Sequence, residues 1–297
     1  MKGKSLEFYY HAMLLPGIAL LVIFSIVPMF GLIMAFERYM PVKGILGSDF
    51  VGLRNFRTVL MFPDARQVIY NTVVIAVAKI LLNLAVPVAF ALLLNECRVQ
   101  WFKRGMQTIV YAPNFLGWVI AAAMFTQIFA YTGPVNALLK ACGLKEAIIF
   151  MASNTWFRPI VVLTDVWKNF GFGAIVFIAA ITSLDPHLYE AGEVDGANRW
   201  QKVKYITFPG ILPTVILMAT LALGNVLNAG FDQIFNMYNA CVYQTGDILD
   251  TYVYRIGLVN LQYSLGTAVG LFKSVISFVL IITAYKLADR FAGYKIF

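Results

Sequence analysis

Four ionisable side chains interrupt long apolar runs in this 297-residue chain: Lys79, Asp165, Lys168 and Lys273. A charge in hydrocarbon is costly, so each needs a partner or a polar cavity and points first to function. Asp165 and Lys168 stand three apart and can neutralise each other on one helix face, whereas Lys79 and Lys273 have no same-helix partner of opposite charge. Around Lys168 runs "WKNFGF", giving Trp167, Asn169, Phe170 and Phe172, and further on "GNVLNAGF" gives Asn225, Asn228 and Phe231. Amides hydrogen-bond hydroxyls and aromatic faces stack on C–H surfaces, which are the two contacts a sugar offers. For each aromatic the alternative is packing against a neighbouring helix.

Other chemistry is missing. The histidines His11 and His187 stand apart from any carboxylate cluster within an apolar run, and no H-E-x-x-H occurs. Cys97, Cys142 and Cys241 are odd in number and widely spaced, which supports neither a disulfide framework nor a metal site. No G-x-x-x-x-G-K-[ST] phosphate loop is present. The chain is therefore expected to carry no catalytic residue, metal or cofactor, and an intramembrane enzyme is disfavoured.

The elements that position these residues follow from composition. Hydrophobic residues make up 60% and charged residues 13% of the chain. Crossing a bilayer takes ~20 apolar residues of helix. Runs at about 12–36, 68–94, 106–130, 159–181, 206–231 and 265–288 qualify, and their length excludes the short alternating strands of a membrane barrel. The expectation is an all-α polytopic membrane protein, one transmembrane domain over 1–297 with six transmembrane helices. The first run lacks a small-x-small cleavage pattern and reads as an uncleaved span, not a secretory signal.

Lys and Arg concentrate in the short segments that are inner if the N-terminus is cytoplasmic, so both termini are expected inside. The net charge of +8 then reads as topology and attraction to anionic lipid, not as a nucleic-acid footprint. By helical rise, Trp167 to Phe172 begin about 12 Å below the outer surface, Asn225 and Asn228 lie about 24 to 29 Å above the inner one, and Lys273 about 12 Å in from outside. These groups are expected to converge in the outer half. Three outer segments should hold short helices: at Leu53 to Leu60, in "GPVNALLKACGL", and in "GDILDTYVYRIGL" behind Asp247.

One inner loop, at about 185–205, is unlike the rest. Asp185-Pro186 is a helix start, with a capping carboxylate and a proline where an amide would be orphaned anyway. Glu190 and Glu193 fall near the positive end of that helix. Gly196 can stop it, and Asn198 can cap a second helix in which Trp200, Val203 and Ile206 share a face. Pro209 is expected to turn this second helix into the next span. Two short helices folded across a glycine, with an apolar knuckle of Leu188, Tyr189 and Ala191, can dock in a groove of a soluble partner. A solvated topology loop is the plainer alternative.

The stretch "EAGEVDGANRWQKVKYITFP" resembles the signature loop of ATP-binding-cassette importer permeases: Glu-Ala-Ala, three residues, Gly, nine residues, Ile-x-Leu-Pro. Here Glu190-Ala191-Gly192 is followed by Gly196 and then by Ile206-Thr207-Phe208-Pro209, with all spacings kept; Gly192 replaces an alanine and Phe208 a leucine. The segment "DPHLYEAGEVDGA" is similar to the carbohydrate-importer branch. "VGLRNFRTVL", "NTVVIAVAKILLNLAVPVAFALLLNE", "FKRGMQTIVYAPNF" and "GPVNALLKACGL" follow in that branch's order, and "YNACVYQTGDILDTYVYRIGL" resembles permeases for oligosaccharides from plant or algal polysaccharides, some uronate-containing.

The resemblance implies a type I importer permease fold. It implies a second permease subunit, two ATPase subunits that carry ATP and Mg, an extracytoplasmic sugar-binding protein and an inner-membrane location. It assigns Leu188, Tyr189, Glu190, Ala191, Gly192, Asp195, Gly196, Ala197 and Trp200 to ATPase coupling. It also assigns Trp167, Lys168, Asn169, Phe170, Phe172, Asn225, Asn228 and Phe231 to the substrate pathway, to which depth adds Lys273. Lys168 and Lys273 would answer a substrate carboxylate. The competing reading is a secondary sugar transporter or channel without an ATPase, which internal repeats or discontinuous helices would favour.

Overall fold

A computed structural model describes residues 2–224 and 226–292. Five helices among them are long and apolar enough to cross a bilayer: Tyr9–Phe36, Pro63–Asn95, Phe157–Thr182, Arg199–Gly224 and Tyr263–Thr283. These are the first, second, fourth, fifth and sixth spans. The third exists only as a bent pair, Gln100–Phe115 and Trp118–Ile128, set at 103° to each other.

That bend corrects the single helix expected at 106–130. Pro113 sits in the tight turn Ala112–Phe115, and Gly117 is extended where it starts the next helix. Together they stop one helix and begin another. The fifth span also departs from expectation. It runs unbroken from Arg199 through Pro209, because a wide turn at Val203–Thr207 makes room for a ring that would otherwise crowd the preceding turn. It ends at Gly224, short of the expected 231, and a new helix, Phe231–Met237, starts only after Gly230 at φ +91°.

Tertiary contacts divide the chain into two compact units. The first comprises Met1–Ala65 with Tyr252–Lys273. In it the first span leads into a two-residue antiparallel pairing of Glu37–Arg38 with Asp49–Phe50 and then the helix Arg54–Met61. Asn55 donates to the Ala35 and Glu37 carbonyls at 2.9 Å each, tying the helix to the end of the span. Ser264 accepts from the Tyr39 amide at 2.9 Å, and the Tyr39 and Tyr263 rings meet edge-on.

The second unit, Arg66–Thr251 with Ser274–Phe297, is built around the fourth span. That span is 56% buried along its apolar window, against 28% for the second and 17% for the fifth. One core packs Ile75, Phe125, Phe150, Phe157, Val161 and Ile234, and another packs Val88, Ala91, Phe177, Ile181 and Ile211. Buried polar groups staple the segments beyond the fifth span onto these helices. Asn71 donates to the Gln244 and Asp247 carbonyls at 3.1 and 3.0 Å, Thr72 accepts the Leu249 amide at 2.9 Å, and Arg158 donates to the Thr245 carbonyl at 2.9 Å. The short helices expected in the outer segments form at Arg54–Met61, Pro134–Ala141 and Leu249–Val253.

Candidate coupling loop and translocation pathway

The polar loop folds as two helices across Gly196. Asp185 caps the first, accepting the His187 amide at 2.9 Å with Pro186 in the first turn, and the helix runs Pro186–Val194. Gly196 takes φ +77°, a left-handed conformation open to glycine without strain. Asn198 and Gln201 then form a reciprocal cap, each side chain accepting the other's backbone amide at 2.9 and 2.7 Å. The second helix continues directly into the fifth span.

Three contacts hold the elbow shut. Ala197 donates its amide to the Gly192 carbonyl at 2.8 Å, the Tyr189 hydroxyl meets Thr207 at 3.0 Å, and Lys202 reaches Glu193 at 2.5 Å. A Cβ on Gly192 would lie 3.1 Å from the end of the Ile206 side chain, which would have to give way slightly. The Lys202 ammonium holds the Glu193 carboxyl below its ordinary range, first through its hydrogen bond and then through its charge. Leu188, Glu190, Ala191, Asp195 and Trp200 are left exposed, Trp200 by 79%, and Glu190 leans on His187 at 3.3 Å. Such a face is apolar at its tip and charged on its flank.

The membrane charges pair differently from the expected Asp165–Lys168 couple. Asp165 pairs with Lys79 of the second span at 3.2 Å. Lys168 instead donates to the Asn114 carbonyl at 2.8 Å and lies 5.4 Å above the Trp118 ring. The bend in the third span is the cause, because it frees a carbonyl at a helix end where an ammonium can cap it. Lys79 also donates to the Ala229 carbonyl at 2.7 Å and to Gln233, whose amide donates to the Val161 carbonyl at 2.7 Å. The break after the fifth span is therefore held from two other helices.

A cavity of about 300 Å³ opens beside this network, lined by Asn83, Asp165, Asn228, Phe177 and Met218 among others. Of the residues read as substrate pathway, Asn228 lies on the cavity and is exposed. Trp167 meets Phe125 edge-on, Phe170 meets Phe90 in the same way, Asn169 accepts from Asn114 at 3.2 Å, and Phe231 stacks on Phe235. Phe172 is exposed by 51%. Asn225 lies outside the described residues, and Lys273 belongs to the first unit.

Residues 87–293 match the family model of the binding-protein-dependent transport system inner membrane component. The chain belongs to that family. The permease is 38% identical over 97% of its length, and 90% of the relative's, to the polygalacturonan/rhamnogalacturonan transport system permease YteP of Bacillus subtilis. It is 27% identical to the arabinooligosaccharides transport system permease AraP of Halalkalibacterium halodurans, over 95% of this chain and 88% of that one. Among solved structures it resembles a chain of a bacterial alginate ABC transporter in complex with an alginate pentasaccharide-bound periplasmic protein. The TM-score is 0.89 and the identity 36%, over 97% and 96% of the two chains. It is the permease of an ABC importer for sugars or oligosaccharides, with the type I permease fold.

Three contributors to the permease's polar interior were missed from sequence: Asn83, Asn114 and Gln233. Asn83 carried a usable signal, as an amide one helical turn after Lys79 within an apolar run. Gln233 and Asn114 gave none, because their roles arise from breaks in helices that the apolar pattern does not announce.

Proposed function

We propose that this permease imports an acidic, uronate-containing oligosaccharide handed over by an extracytoplasmic binding protein. It would pair with a second permease and two ATPase subunits that hold ATP and Mg, with both termini in the cytoplasm. The loop at 185–205 would be seated in an ATPase cleft through Leu188, Tyr189, Glu190 and the elbow at Gly196. ATP binding closes the ATPase pair and carries the loop with it, turning the spans from inward- to outward-facing. Such coupling needs contacts that differ between the two states, and an exposed, internally stapled helix pair can make them as a rigid lever.

The observation carrying the acidic reading is Lys168. It is buried, its described partners are a carbonyl and an aromatic ring, and among the described residues it forms no ion pair. A buried cation left with neutral partners in a membrane protein favours an anionic ligand. The relatives that transport polygalacturonan/rhamnogalacturonan and alginate support the same substrate class. Exposed Asn228 and Phe172 would offer the hydrogen-bonding and stacking contacts for the rest of the sugar.

The test is uptake by proteoliposomes holding the complete complex. Lys168→Gln should lower uptake of a galacturonate trisaccharide by roughly 10-fold, the worth of one hydrogen bond to a charged group, while its methyl-esterified counterpart is spared. Equal uptake of the acidic sugar by variant and parent would remove the charge argument and favour a neutral substrate.

A further inference from the structure

Among the described residues that line the cavity, one buried side-chain polar atom has no hydrogen-bond partner. Lys79 places its three ammonium protons on Asp165, the Ala229 carbonyl and Gln233. The second Asp165 oxygen accepts the Asn83 side-chain nitrogen at 2.8 Å. That bond fixes which way the amide points, because an ionised carboxylate only accepts. The Asn83 Oδ1 atom therefore points away from Asp165, and it is buried with no donor among the described residues. Asn83 lines the cavity of about 300 Å³, at the small end of the range for ligand pockets. A buried acceptor without a donor is unfavourable, and a visiting hydroxyl cures it.

We propose that Asn83 Oδ1 receives a hydroxyl of the transported sugar in a subsite that reads an uncharged face of the ring. This rests on the reading of the chain as an oligosaccharide permease and deepens it. Charge decides what the subsite admits. Lys79 and Asp165 cancel, so a neutral ring enters without adding charge. A carboxylate would meet Asp165, a like charge, with no ammonium proton left to bind it. Ile80, Leu84, Phe177 and Met218 line the same cavity and suit the C–H face of a ring. Lys168 is about 4.5 Å along the helix axis from Asp165, at the usual rise over three residues. Carboxylate reading at Lys168 of the fourth span and hydroxyl reading at Asn83 of the second, which is bonded to Asp165, are thus separated along the fourth span by that distance.

The experiment measures uptake by the complete complex in proteoliposomes, with a galacturonate trisaccharide and its methyl ester as probes. Asn83→Ala should lower uptake of both sugars alike, by roughly 5-fold, the scale of one neutral hydrogen bond. Lys168→Gln should depress the acidic sugar alone. In a background with Cys97, Cys142 and Cys241 changed to serine, the thiol introduced by Asn83→Cys should be alkylated by N-ethylmaleimide at least roughly 5-fold more slowly while either sugar is being transported. Undiminished uptake in Asn83→Ala, or an alkylation rate indifferent to sugar, overturns the subsite. If the parent complex carries the methyl ester and rejects the acid, the acidic reading of the function fails, while the Asn83 comparison on the ester still decides the subsite.

Discussion

Gly196, Glu193 and Lys202 show how single residues shape the loop at 185–205. Glycine supplies the left-handed turn at φ +77°, and the Glu193–Lys202 contact then keeps the two helices folded on each other. The depressed Glu193 carboxyl gives this contact a pH signature. Because its folded-state value lies below the unfolded one, the contact contributes fully above the ordinary glutamate value of about 4.3 and is lost as pH falls through the depressed value. Amide hydrogen exchange across 186–204, corrected for intrinsic rate, should therefore accelerate as the purified complex is acidified past that point, and high salt should weaken the contact as well. Glu193→Gln should show fast exchange already at neutral pH and no inflection. An inflection that survives in Glu193→Gln would assign it to another group.

Among the elements, close approach of helices is set by glycines. A Cβ on Gly171 of the fourth span would fall onto the Val110 carbonyl of the third, and backbone cannot yield as a flexible side chain can. Gly171→Ala should cost about 1–3 kcal/mol and lower the thermal midpoint of the detergent-solubilised complex by about 5 °C. Gly173→Ala, whose Cβ would lie 3.3 Å from Pro87, should cost less. Equal midpoints for parent and Gly171→Ala would mean that the helices do not pack this closely.

These elements also mark where the sequence could be read. The two short helices at 185–205 were legible because Asp185, Pro186, Gly196 and Asn198 act locally, within a turn of the backbone they shape. The third span's bend and the fifth span's early end were not. Apolar content continues through both breaks, and what stabilises them comes from afar: Lys168 caps the Asn114 carbonyl and Lys79 the Ala229 carbonyl, 54 and 150 residues away in sequence. The Lys79–Asp165 pair was hidden for the same reason, since Lys168 is the nearer partner in sequence and Lys79 the nearer in space.

For the whole molecule, the second unit gathers both ends of the proposed machine. The loop at 185–205, the fifth span that continues from it, and the polar network that holds the break beyond Gly224 all belong to that unit. Movement imposed on the loop has a continuous helix, Arg199–Gly224, along which to travel toward the cavity. The account rests on that mechanical link, and the number of ATP molecules hydrolysed per sugar imported measures it directly. Gly196→Pro, which keeps the exposed face but forbids the left-handed elbow, should leave the complex assembled and hydrolysing ATP while uptake falls, raising the ratio at least roughly 10-fold. A ratio unchanged from the parent, in a correctly assembled complex, would contradict it.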